Sequence, residues 1–349
     1  MKLPDRIRWV FWNKEEARLR MIWRIGVHTV ALFALTTAFT LGLLLITLFV
    51  DAIFGTGIGQ SLTENGPDNF MQVPLIFMVI IPSATFLGVL VATLIVGKYI
   101  DRRKFKDFGI SFSKSFWVDF AFGLGLGALL MALVFLFGWL SGNFEVTGFF
   151  QPLNSDLSFL SGFLQALFLF IFVGIYEELL SRGYHLINLA EGLNVKPGGK
   201  RRAVILAVLV SSLVFGLLHS SNPNASVVST LNITFAGIVF SLAMIFTGSL
   251  AIPIGLHITW NFFQGNVFGF PVSGMRNGAT IIATEAIGPD WLTGGSFGPE
   301  AGVMGLIALI IGGIFILLYI KRHSEIRLHN DISEYHPNKN NDPHTTLSE

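Results

Sequence analysis

Eight stretches of this 349-residue chain run almost without charge, at 25–50, 74–96, 117–140, 160–190, 203–219, 227–246, 250–268 and 303–320. A bilayer core of roughly 30 Å takes about 17–25 apolar residues per helix, so each stretch is long enough to cross it. Inside lipid the backbone must satisfy its own hydrogen bonds, which leaves helices or a closed barrel. Continuous apolar runs, without period-two alternation, select helices. The expected fold is an all-α, polytopic membrane bundle of about eight transmembrane helices. Composition agrees: 52% of residues are hydrophobic and 13% charged, against about a quarter charged in soluble domains.

Basic residues orient the bundle. Seven of the 23 lysines and arginines lie in 1–24, six in 98–114, four in 196–202 and four after 320, which puts 21 of them at one end of an eight-helix bundle. By the positive-inside rule both termini are expected in the cytoplasm. The first apolar run is too long for the core of a cleaved signal and reads as retained. Three regions follow: a basic N-terminal segment (1–24), a transmembrane bundle (25–320) and a polar tail (321–349) that reads as disordered. The Gly-, Thr- and Ser-rich segment at 271–300 reads as a long outer loop, functional or mobile. Only Thr247-Gly248-Ser249 separates the sixth and seventh stretches, so one of the two can be re-entrant.

Some chemistries are excluded at once. The chain has no cysteine, so thiolate catalysis, disulfides and Cys-based metal centres are absent. A net charge of +1 gives no reason to expect a nucleic-acid partner.

Ionisable residues inside apolar spans are expensive and mark functional interiors unless paired. Three spans carry them. Glu177, Glu178 and Arg182 lie in the fourth, His219 ends the fifth, and His257 with Asn261 lies in the seventh. Glu178 and Arg182 are one helical turn apart and can pair, which leaves Glu177 on another face. His257 and Asn261 likewise share a face. Each group also has a plainer reading: a structural ion network, a histidine bonded to a helix-end carbonyl, a His–Asn tie between helices. His28 and His185 have no polar partner at helical spacing and read as structural.

A depth estimate tests whether the three groups can meet. If the fourth helix runs to about residue 191, Glu177 lies roughly 21 Å from that end, and His219 lies roughly 24 Å from residue 203. His257 and Asn261 come out only about 10–16 Å from residue 250, which is too shallow.

Taken in order, Glu177-Glu178…Arg182, Phe215…His219 and His257…Asn261 resemble the EExxxR, FxxxH and HxxxN motifs of the CPBP family. These are intramembrane proteases of the CAAX prenyl protease and bacteriocin-processing type, also called Abi. Gly-Gly-Ser-Phe-Gly-Pro-Glu at 294–300 is similar to bacterial members. The resemblance covers about 160–300, taken as the protease core. It implies peptide-bond hydrolysis at a site between helices four, five and seven. It assigns Glu177 and His219 to holding and activating water, His257 and Asn261 to stabilising the oxyanion, and Glu178 and Arg182 to supporting them. A carboxylate withdrawn from water suits general-base work, and two donors one turn apart suit an oxyanion site. A peptide or protein substrate and the bilayer are the implied partners; prenylated, peptide-precursor and regulatory membrane substrates all stay open. No cofactor is favoured, because His-Glu-x-x-His is absent, but Glu, two His and Asn are also donors that zinc accepts. Two other classes explain buried charge: a transporter or channel with a proton relay, and a non-catalytic binding or immunity protein. The lack of an internal repeat weakens the transporter reading.

Overall fold

The structure, a computed structural model, describes residues 10–335 apart from 15, 56, 58–75, 154–157 and 196–197. The expected start of the second helix at 74–75 and the tail beyond 335 lie outside the described residues. Seven helices are long and apolar enough to cross a membrane: α1 (Met21–Phe54), α2 (Met78–Asp101), α3 (Lys114–Leu140), α4 (Phe159–Leu193), α5 (Gly199–Leu218), α6 (Val227–Thr247) and α8 (Val303–His323). The remaining expected span is the shorter α7 (Ala251–Phe262), continued by a π-helical turn at Phe263–Val267. Among the described residues the eight expected spans thus take the form of seven long helices and one shorter one. Buried on nearly all sides and little more than three turns long, α7 has the character of a core helix.

Glycines bring α7's neighbours close. A Cβ at Gly123 of α3 would strike the backbone of Ile252, one at Gly127 the backbone of Leu256, and one at Gly174 of α4 the side chain of Ile258. Gly255 of α7 likewise meets the Phe120 carbonyl. Small residues at such crossings let backbones approach, the usual means of helix association in lipid. The result is that α7 is clamped between α3 and α4, with Trp260 and Leu256 in the main apolar cluster.

The segment at 271–300 is ordered, contrary to its reading as a simple loop. Ala279–Ala286 forms a strand, β4, antiparallel to β3 (Phe144–Pro152). The register breaks between Val146 and Gly148, a bulge. A helical turn at Asp290–Thr293 and two 3₁₀ turns follow before α8. These strands interrupt an otherwise helical fold and cover the bundle end opposite the basic residues.

The basic end is also more structured than expected. Residues Trp12–Asn13 (β1) and Arg18–Leu19 (β2) pair as a small hairpin. The Glu191 carboxylate receives Arg18 at 2.7 Å, Arg24 at 2.8 Å and Arg103. The tail does not leave the protein at Ser324: residues 325–335 fold back, burying Ile332, donating from the His329 amide to the Ile245 carbonyl, and stacking Tyr335 on the Arg18 guanidinium 3.5 Å away. Ile332 and Tyr335 are what the expectation of disorder overlooked, since two well-placed anchors suffice to dock a short polar segment.

Candidate active site

The fourth helix sets up the site. After Glu178 it widens into a π-helical stretch, Leu179–His185, before returning to α geometry. Such bulges are frequent at functional sites. Glu178 is completely buried, and its Oε1 accepts from Arg182 Nη1 at 2.9 Å. The Arg182 guanidinium also packs 4.2 Å from the centre of the Phe215 ring and 5.4 Å from that of Phe240. These aromatic faces add a cation–π attraction to the ion pair. Arg182 is thus enclosed within the bundle.

The same Glu178 oxygen accepts a second bond, from His257 Nδ1 at 2.8 Å. Pairing with Arg182 is legible from helical spacing. Orientation of the His257 ring by the same carboxylate is not, because the two residues are 79 positions apart. On α5, His219 Nδ1 lies 2.8 Å from the Phe215 carbonyl. A carbonyl can only accept, so this nitrogen carries a proton, and the second nitrogen is directed elsewhere.

The second nitrogens of both rings converge on Glu177. His257 Nε2 lies 3.7 Å and His219 Nε2 3.9 Å from Glu177 Oε2. Both separations are too long for a direct hydrogen bond. The Glu177 oxygen itself is buried with no hydrogen-bond partner among the described residues. The side chain of Asn261, one turn along from His257, makes no hydrogen bond among the described residues, and Asn261 lines the same cavity as the other three. The cavity holds about 370 Å³.

All six residues picked from the sequence therefore come together. The depth mismatch for His257 is resolved by where α7 begins. Leu250 is fully buried, and its amide donates to the Gly109 carbonyl of the turn that follows α2. The helix starts inside the protein, so distances counted from residue 250 understate its depth. His28 is structural as expected, stacked on Tyr184 and 3.0 Å from Thr93 Oγ1.

One residue at the cavity escaped the sequence reading. Glu300, from the 3₁₀ turn before α8, lines the cavity with Ser273, Asn222 and Asn277. The signal was the lone acid of Gly298-Pro299-Glu300, within a segment already noted for family likeness but not for chemistry.

Among the described residues, no three His, Asp or Glu side chains come close enough together to hold a metal ion.

Residues 159–263 match the family model of type II CAAX prenyl endopeptidases, Rce1-like. This part of the chain belongs to the CAAX protease (CPBP) family. The matched stretch runs from α4 to the end of α7 and contains Glu177, Glu178, Arg182, His219, His257 and Asn261. The family is one of membrane-embedded peptidases, in accord with seven helices long enough to cross a bilayer. Comparison with curated proteins and with solved structures found no match.

Proposed function

We propose that this protein is an intramembrane endopeptidase of glutamate type. One observation carries the reading: two imidazoles, each anchored through Nδ1, direct their Nε2 atoms at a single unpartnered Glu177 oxygen inside a cavity. In this reading Glu177 takes a proton from water while His219 Nε2 holds that water in place. The resulting hydroxide attacks the peptide carbonyl, and the proton on Glu177 passes to the leaving amine. Positioned acid–base groups of this kind contribute about 10²–10⁴-fold.

The tetrahedral oxyanion takes hydrogen bonds from Asn261 Nδ2 and His257 Nε2. For His257 to donate there, its ring is protonated on both nitrogens, and Glu178 balances that charge. Arg182 in turn balances Glu178. Glu178 and Arg182 are thus positioning residues, acting through His257. Donors aimed at developing charge in a water-poor site are worth far more than in water.

No metal takes part in this scheme. Stoichiometric zinc in active purified protein, with activity lost on chelation and regained on refilling, would overturn it. The distribution of lysine and arginine supports an orientation with both termini in the cytoplasm. An Arg276→Cys variant, in a chain with no other cysteine, should then react with an impermeant thiol reagent on intact cells; protection there would reverse the orientation.

The central test is proteolysis itself. Purified protein in lipid should cleave members of a peptide library, with cut sites mapped by mass spectrometry. Glu177→Gln should remove those cuts while the variant remains folded. Cleavage that persists in Glu177→Gln would sink the assignment.

A further inference from the structure

The cavity's electrostatics bear on which peptides it accepts, and this step rests on the protease reading above. Two carboxylates line it, Glu177 and Glu300, and no lysine or arginine does so among the described residues. The positive charge assigned above to His257 is balanced by Glu178, which also engages Arg182, itself packed against Phe215 and Phe240.

Glu300 is a built feature of that wall. Its Oε2 accepts from the Ser273 amide at 2.8 Å and from the Ser273 hydroxyl at 3.1 Å. Its backbone carbonyl accepts from Asn232 Nδ2 of α6 at 2.9 Å. Ser273 sits at φ +47°, a left-handed conformation that a serine rarely takes, and the double bond to Glu300 holds it there. Among the described residues no hydrogen bond engages the other carboxylate oxygen, Oε1, and Glu300 lines the cavity. Burial pushes the Glu300 carboxyl above the usual carboxylate range, and the nearby His219 and His257 oppose that shift. A further cation in the cavity would oppose it too, since an opposite charge favours the ionised form. The water-splitting role of Glu177 does not call for a second carboxylate, so this one is free to read the substrate.

We infer that Glu300 is a specificity-determining residue that selects a positively charged group, a lysine or arginine side chain or an α-ammonium, close to the scissile bond. The same field disfavours a free C-terminal carboxylate at short range. A tail cut three residues from its own carboxylate would bring that charge close to Glu177 and Glu300, with no lysine or arginine in the lining to offset it. The geometry thus points to internal peptide bonds flanked by a basic residue.

The test uses the full-length protein in lipid and a peptide library with both free and amidated C-termini, with Glu177→Gln as the blank. Glu177-dependent cut sites should be enriched in Lys or Arg within a few residues of the bond and depleted near free carboxylates. For matched peptides differing only in Lys or norleucine at the enriched position, kcat/KM should favour Lys by about tenfold, the size expected of one partly desolvated charge pair. In Glu300→Gln, whose amide oxygen can still accept from Ser273, that ratio should fall towards one. A Glu300→Gln protein that loses both peptides in proportion, or keeps the Lys preference, would show that the residue only shapes the cap. If that variant fails to fold, the wild-type cut sites still decide: no basic bias, or cuts clustered three residues from free carboxylates, overturns the inference alone. An absence of any Glu177-dependent cut overturns the protease reading and this inference with it.

Discussion

Two clusters of ionisable residues are buried in this bundle, and they differ in kind. At the basic end, Glu191 and Asp101 meet Arg18, Arg24 and Arg103, with Tyr184 Oη donating to Asp101 at 2.9 Å. The side chains of Glu191 and Asp101 are 2% and 0% exposed. Towards the other end, Glu177 and His219 keep 18% and 17% of their side-chain exposure and share a cavity with His257, Asn261 and Glu300. The first cluster sets three arginines against three carboxylates, since Glu16 also pairs with Arg18 at 2.9 Å, and it joins four parts of the chain: the N-terminal hairpin, α1, the turn after α2, and the end of α4. The second presents more acceptors than donors to a space that can admit a ligand. Burial of charge alone does not mark a reactive site. An unbalanced set of groups around a cavity does.

This comparison can be broken by substitution, and the largest effect should fall on chemistry. Glu177→Gln should lower kcat by about 10³-fold or more with little change in thermal stability, because the amide cannot act as base. A large fall in Tm with activity retained would place Glu177 in the structural class instead.

Next in size is Asn261→Ala, expected to lower kcat by about 10²–10³-fold, as for removal of one oxyanion donor, with KM little affected. An effect on KM alone would move Asn261 from transition-state stabilisation to substrate binding.

The basic end should behave in the opposite sense. Glu191→Ala leaves three arginines without their shared carboxylate and should destabilise the fold by about 3–5 kcal/mol, read as a lowered Tm in detergent. Activity per folded molecule should persist. Burial already holds Arg18 and Arg103 below the ordinary guanidinium range, at about 10, and loss of Glu191 removes a partner from both. The smallest effect should come from Tyr335→Ala, about 0.5–1 kcal/mol for the lost stacking on Arg18. No change in Tm, with proteolysis of the tail also unchanged, would show that Tyr335 does not anchor it.

Much of the site was visible as spacing. Glu178 and Arg182 pair because they are one turn apart, and His257 precedes Asn261 by the same turn. What spacing could not show was contact between helices. Glu178 serves His257 as well as Arg182 because α7 lies against α4 at Gly174, and Glu300 reaches the cavity only because the segment after β4 folds over it.

By itself the sequence determined that the chain is a helical membrane protein, which end of the bundle is basic, and which six residues match the family's motifs. Apolar length, lysine and arginine counts and helical periodicity are local quantities, and each can be read along the chain. Tertiary structure decided three other matters. It made α7 an inner helix, because its first residue is buried under the turn at Gly109. It ordered residues 325–335, because the turn at Ile332 packs on the end of α4, the His329 amide bonds to α6 and Tyr335 stacks on the hairpin's arginine. It brought Glu300 to the cavity across more than 120 residues from Glu177, a distance that no periodicity encodes.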